Sequence, residues 1–189
     1  MTRDKQRKIE TGIGIKLDMS GKQAKKTYLG LGSNLGNKKR NIEHAKFLLQ
    51  QNKNFKILKI SSFYKTKSFP NYKNPFFLNI VIKGETTLKP LDLFIFVKQI
   101  ELKLGRKKSL KNAPRQCDID ILDYDQKVFK IKNKNDFIYI PHQRLHERNF
   151  VLLPLFEISK TWIYPKKNKK ITDLLTNIGT NNLRTIKLI

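Results

Sequence analysis

Thr27-Tyr28-Leu29-Gly30-Leu31-Gly32-Ser33-Asn34-Leu35-Gly36-Asn37 is a short apolar strand running into a tight turn, and the segments on its far side set the fold. Ile42, Ala45, Leu48 and Leu49 recur at helical spacing, and Asn37 stands where an N-cap is wanted. Phe55 to Thr66 and Phe76 to Thr87 are both rich in β-branched and aromatic residues, with Asn71, Asn74 and Pro75 in the gap. They read as two strands joined by a long loop. Pro90 opens a second helix carrying Leu91, Phe94, Ile95, Val97, Ile100, Leu102 and Leu104, and Gly105 closes it. A basic loop from Arg106 to Arg115 leads into a further strand at Cys117 to Tyr124.

The order β-α-β-β-α-β across residues 27–124 is the split βαβ pattern of an α+β, ferredoxin-like sandwich. Additional C-terminal strands and helices follow: a strand over Ile131 to Ile140, a helix over Glu147 to Ile158 containing Pro154, a Lys-rich loop at Lys166 to Lys170, and an amphipathic segment from Ile171 to Ile178. Residues 1–25 are polar and basic with no sustained period, and read as a disordered or loosely attached extension; Met19 is a second possible start. Residues 26–189 then form one domain.

The composition of the 189 residues agrees with a single domain. No run of eighteen apolar residues exists, which excludes a transmembrane helix, while a hydrophobic share of 39% with 12 Phe supplies a core. One cysteine, Cys117, cannot form an internal disulfide, and no apolar signal core precedes the domain, so the expected compartment is the cytoplasm. Lys+Arg is 40 against 15 for Asp+Glu, a net charge of +25, and a polyanion is the first partner such a charge suggests. The lysines are spread from end to end, however, as in a solvated face. Only eight of the cations are Arg, and four of these, Arg106, Arg115, Arg144 and Arg148, lie within residues 106–148. Planar guanidinium forks suit bidentate phosphate contacts.

Two motifs invite a chemical reading. Gly30 to Gly36 resembles a phosphate loop in position only: the dinucleotide spacing would put Gly at position 35, where Leu35 stands, and no Lys-Ser or Lys-Thr follows. A tight strand-to-helix turn is its plain reading. Asp118-Ile119-Asp120 is the stronger signal. On a strand these carboxylates share a face, roughly 6.5 to 7 Å apart, with Cys117, Ile119 and Ile121 turned away. Like charges so placed suit either a solvent-facing sheet edge or a hard cation such as Mg²⁺, and flanking Arg106 and Arg115 favour the second, as phosphoryl transfer requires. Asp123 and Asp125 read as a turn after the strand. His44 reads as surface, and His142 at a strand end is undistinguished by itself.

Read as one stretch, Lys111-Asn112-Ala113-Pro114-Arg115-Gln116-Cys117-Asp118-Ile119-Asp120-Ile121-Leu122 resembles the signature of the 6-hydroxymethyl-7,8-dihydropterin pyrophosphokinases of folate biosynthesis. Four other segments resemble the family in the right order: Leu29 to Gly36, Ser61 to Thr66, Ile100 to Leu102 with Gly105-Arg106, and Ile140-Pro141-His142 with Arg148 to Leu152 and Pro154-Leu155. The resemblance covers about residues 26–165. It implies transfer of pyrophosphate from Mg-ATP to the pterin hydroxymethyl group with release of AMP. Asp118 and Asp120 would hold two Mg²⁺ ions, Arg106 and Arg115 would act in catalysis, and Glu101, Arg115, His142 and Arg148 would bind ATP. Thr66, Phe77, Asn79 and Phe150 would form the pterin pocket.

The chain departs from the family where Asn112 and Ala113 replace a common Trp and Gly, where Lys108 stands in place of an Arg, and at Lys67, where Pro is common. The basic loops 65–75 and 106–115 read as lids over the two substrates. Expected partners are small molecules alone, with no specific nucleic acid and no membrane, and the expected state is a monomer or weak dimer of a monofunctional enzyme. Two rivals remain: a basic RNA-binding module, which gives no reason for paired aspartates on one strand face, and a catalytically silent homologue, for which substituted Asp or Arg would speak.

Overall fold

A computed structural model describes residues 23–68, 72–106, 113–133 and 136–189. Most of the expected extension, and the centres of both expected lids at 69–71 and 107–112, including Lys108 and Asn112, lie outside the described residues. Strand β1 (Lys25–Ser33) is followed by helix α1 (Lys38–Gln50), strands β2 (Phe55–Ile60), β3 (Tyr64–Thr66) and β4 (Phe77–Thr86), helix α2 (Pro90–Lys103) and strand β5 (Asp118–Tyr124). A hairpin of β6 (Phe129–Asn133) and β7 (Asp136–Ile140) comes next. After a short 3₁₀ turn come α3 (Asn149–Ile158), a small ribbon of β8 (Ile163–Tyr164) and β9 (Lys169–Lys170), α4 (Ile171–Ile178), α5 (Thr180–Leu183) and β10 (Lys187–Leu188).

The helix boundaries follow from local chemistry. Asn37 accepts from the Arg40 amide at 3.0 Å and caps α1; Pro90 occupies the first turn of α2, where its missing N–H is not needed. Ile42, Ala45 and Leu49 are the buried stripe of α1.

Antiparallel pairing places β1 between β4 and β5, and β2 and β3 both pair with β4 at its opposite edge, with β10 outside β3. Alternation along the strands makes two cores. Leu29, Leu31, Ile80, Ile82, Ile119 and Ile121 pack under α1 and α2; Tyr28, Val81 and Leu122 pack under α3 and α4 with Trp162 and Tyr164. No helix of the described residues is long and apolar enough to cross a membrane.

Five local expectations are corrected. The first long strand is broken: Ser61 turns its hydroxyl to accept from the Val81 amide at 2.9 Å, taking a backbone carbonyl's place in the ladder, so β2 and β3 meet β4 at separate ends. Glu157 of α3 holds this break, accepting from the Ser62 amide and hydroxyl and from Tyr64 Oη at 2.9 Å. The single strand expected over 131–140 is a hairpin, pairing Phe129 with Ile140. Strand β1 begins at Lys25, inside the segment read as an extension. Asp123, expected in a turn, is a buried residue of β5, 1% exposed, and α3 starts two residues later than expected.

Candidate active site

Register alone gathers much of the site. Gly32 lies opposite Asn79 on one side and opposite Asp118 on the other, and Gly30 lies between Val81 and Asp120. Residues opposite one another in a ladder share a face. Asp118 and Asp120 on β5 and Asn79 on β4 therefore stand on the same side of the sheet, divided by a strip of β1 that carries no side chains. A Cβ at Gly32 would lie 3.0 Å from Asn79 Oδ1 and 3.6 Å from the Phe77 ring. The glycine motif's plain reading as a turn holds at Gly36, whose φ is +62°; Gly30 and Gly32 belong to the strand and keep a trough open across it.

Arginines ring the acidic side. Arg106 bonds Asp118 at 2.7 Å and also reaches Glu101; Arg115 bonds the other Asp118 oxygen at 3.2 Å, and Arg148 bonds Asp120 at 3.1 Å. Burial would raise the Asp118 pKa, but Lys98, Arg115 and Arg106 together hold it below the usual carboxylate range. Arg106, despite partial burial that works the other way, is held more firmly protonated by Glu101 and Asp118.

Glu101 is fully buried, and desolvation raises its pKa against the pull of Lys98. Its carboxylate accepts from Lys98 at 2.7 Å, from the Ile119 amide at 2.7 Å and from Arg106. It thus ties α2 to β5 and aims two cations, and it is not among the residues lining the adjoining cavity. That cavity, of about 530 Å³, lies between α2, the outer edge of β5 and the β6–β7 hairpin, and Asp120, His142, Arg144 and Arg148 line it. His142 Nδ1 accepts from the Arg144 amide at 3.1 Å, and burial lowers its pKa against the pull of Asp120.

On the opposite side of the trough the Asn79 amide donates to Thr66 Oγ1 at 3.0 Å, and both residues are buried. Phe150, in the first turn of α3, lies beneath the Arg148 guanidinium, whose carbon is 5.6 Å from the centre of its ring. Two groups that sequence reasoning passed over prove to be organisers. Asn34 accepts from the Arg115 amide at 2.7 Å while its own amide donates to the Arg115 carbonyl at 3.2 Å, so the turn after β1 fixes the start of the Asp-bearing segment. Lys98 precedes Glu101 by one helical turn, a spacing lost in the sequence among so many lysines.

Asp118 and Asp120 fit a hard divalent cation. Such an ion accepts one or two carboxylates and completes its shell with water and phosphate oxygens, and no group of three or more His, Cys, Asp or Glu that could hold a metal ion occurs among the described residues, so most of that shell would come from substrate and water. Cys117 faces the other way, buried, its thiol pKa pushed up by desolvation.

A sequence profile described as 7,8-dihydro-6-hydroxymethylpterin-pyrophosphokinase (HPPK) matches residues 28–160. The 2-amino-4-hydroxy-6-hydroxymethyldihydropteridine pyrophosphokinase of Aquifex aeolicus is 38% identical over 149 residues, which cover 77% of this chain and 88% of that protein. The bifunctional protein FolKE of Lactococcus lactis is 35% identical over 163 residues, 85% of this chain but 45% of that one, so the chain spans under half the length of this relative. The crystal structure of Plasmodium falciparum HPPK-DHPS with pteroate superposes with a TM-score of 0.71 at 17% identity, covering 89% of this chain and 46% of that chain. At that identity the likeness speaks for the fold.

Proposed function

The chain belongs to the 7,8-dihydro-6-hydroxymethylpterin-pyrophosphokinase family, and from that membership we propose that it transfers pyrophosphate from ATP to the hydroxymethyl group of 6-hydroxymethyl-7,8-dihydropterin in folate biosynthesis. The hydroxymethyl oxygen attacks the β-phosphorus, the bond from that phosphorus to the α-phosphate bridging oxygen breaks, and AMP leaves as the hydroxyl proton passes to solvent. One observation carries the reading. A cationic, carboxylate-bearing half and an amide-bearing half lie on one face of the sheet, separated by the bare strip of Gly30 and Gly32.

Each half suits one substrate. Arg148, His142 and Arg144 at the cavity beside Asp120 receive the triphosphate, with Arg115 and Arg106 facing the group in transfer. Asn79 reads the donor and acceptor edge of the pterin with Thr66 behind it, and Phe77 and Phe150 supply aromatic faces for the ring. Glu101 acts through Arg106 and Lys98. Two Mg²⁺ ions held by Asp118 and Asp120 would neutralise phosphate charge. Positioning and electrostatics carry the rate, and no nucleophilic side chain is assigned. The strand order β5-β1-β4-β2, with one helix after β1 and one after β4, supports a ferredoxin-like framework. We assign it a monomer or weak dimer in the cytoplasm, with no specific nucleic-acid partner.

The test is to incubate the purified chain with Mg-ATP and 6-hydroxymethyl-7,8-dihydropterin and resolve the nucleotides. AMP should form only when the pterin is present, and Asp118→Ala with Asp120→Ala should reduce its formation by on the order of 10³ or more. ADP in place of AMP would overturn pyrophosphoryl transfer, and a folded but inert chain would favour the silent homologue.

A further inference from the structure

Residues 179–189 lie beyond the span matched by the family profile, 28–160, yet they touch elements on both flanks of the trough. Gly179, with a φ of +79°, turns the chain out of α4 into α5. The Asn149 amide then donates to the Asn182 carbonyl at 2.7 Å and to Thr185 Oγ1 at 3.1 Å, while Thr185 Oγ1 donates to the same Asn182 carbonyl at 2.7 Å. Three groups so close on one another. Two residues on, β10 pairs Lys187 with Lys65 and Leu188 with Tyr64, and the Ile189 amide donates to the Phe63 carbonyl at 3.0 Å.

Both attachment points need support. Strand β3 is three residues long and pairs on its inner side only with β4; it ends in Thr66, the partner of Asn79. So short a strand is weakly held by one neighbour, and β10 gives it a second. Helix α3 has no side-chain cap: Arg148 at the capping position carries donors only and is turned to Asp120. Asn149 stands between that arginine and Phe150, and its own Oδ1 accepts from the Phe150 amide at 2.7 Å. One short segment therefore bridges the strand behind the Thr66–Asn79 pair and the helical turn that presents Arg148 and Phe150.

Building on the pyrophosphokinase reading, we propose that residues 179–189 form a strap that sets the distance between β3 and the start of α3, and so the width of the pterin pocket, with Asn149 as its positioning residue. Asn149 touches no substrate. It acts by fixing where Phe150 stands relative to Thr66, while Arg148 is held separately by Asp120.

Two variants of the full chain test this from opposite ends. Asn149→Asp keeps the size and the Oδ1 that caps Phe150 but loses both donated hydrogen bonds, and Thr185→Val removes one of the two partners without altering α3. Thr185→Val should raise the KM for the pterin about fivefold, the value of one lost hydrogen bond, Asn149→Asp should raise it further, and both should leave the KM for ATP unmoved. Amide exchange should quicken together in residues 64–66 and 150–152, while α1 and α2 stay unchanged. An unaltered pterin KM in both variants overturns the strap, as does an equal rise in the KM for ATP, or exchange that quickens in α3 with β3 unaffected. If the wild-type chain makes no AMP, the reaction assigned above fails; the exchange measurement still decides the strap, since joint loosening supports it and loosening of α3 alone refutes it.

Discussion

At the scale of single residues, Gly32 has the sharpest consequence. Its neighbours across the ladder are Asn79 and Asp118, and an added methyl would press on Asn79 Oδ1 at 3.0 Å. Alanine inside a strand ordinarily stabilises by about 0.5–1 kcal/mol relative to glycine, so Gly32→Ala should not unfold the chain. It should instead displace the Asn79 amide, to which the pterin edge is assigned above, raising the KM for the pterin roughly tenfold with the unfolding midpoint held or improved. A KM within error of wild type would mean that Asn79 has room to give. From the sequence Gly32 was legible as the end of the first strand, but its use was not, because that depends on which residues of β4 and β5 lie beside it, and register is a property of three strands at once. Asp118 and Asp120 were legible because the period of a strand is local. Asn34 and Lys98 were not, since one organises through its backbone partners and the other resembles every other lysine in the chain.

Elements show a similar division. The starts of α1 and α2 could be read directly from Asn37 and Pro90, as could the alternation of β1, β4 and β5, since short-range chemistry fixes each. The break at Ser61 could not, for it lies within a run of strand-forming residues and exists because a hydroxyl replaces a carbonyl in the ladder. Asp123 was misplaced for a related reason: what buries it arrives 39 residues later, when Trp162 Nε1 donates to its carboxylate at 2.6 Å. This tie joins the end of β5 to the segment after α3 and has a measurable pH signature. Desolvation pushes the Asp123 pKa up to about 6, against the pull of Trp162 and Gln126. Because the folded value exceeds the unfolded one near 4, the folded state binds more protons between about pH 4 and about pH 6, and this group's contribution to stability falls as the pH rises through that window. Urea titrations at both ends of it should show a loss of up to about 3 kcal/mol for the wild type relative to Asp123→Asn. Parallel pH dependence in the two proteins would place the titration elsewhere.

For the whole molecule the charge of +25 sets how the reactants arrive. The nucleotides of the proposed reaction are anions, and a surface dense in lysine raises their encounter rate while adding little discrimination. Raising salt from about 50 mM to about 200 mM should therefore raise the KM for ATP severalfold with kcat nearly constant, and should release any bound RNA without regard to sequence. Retention of one RNA sequence at the higher salt would revive the nucleic-acid reading. The arginines assigned above to the phosphates are held by Asp118, Asp120 and Glu101, so the site keeps its order where the lysine surface is screened.

Cys117, the single cysteine of the chain, sits directly before Asp118 with its thiol turned into the core beneath the sheet. Strand β5 pairs with β1 alone in the main sheet, so its outer border has no strand partner there. A thiol reagent reaches the sulfur only when the strand bearing both carboxylates lifts away. The chain thus carries its own stopwatch for that event, started by the reagent and slowed by whatever ligand holds β5 in place.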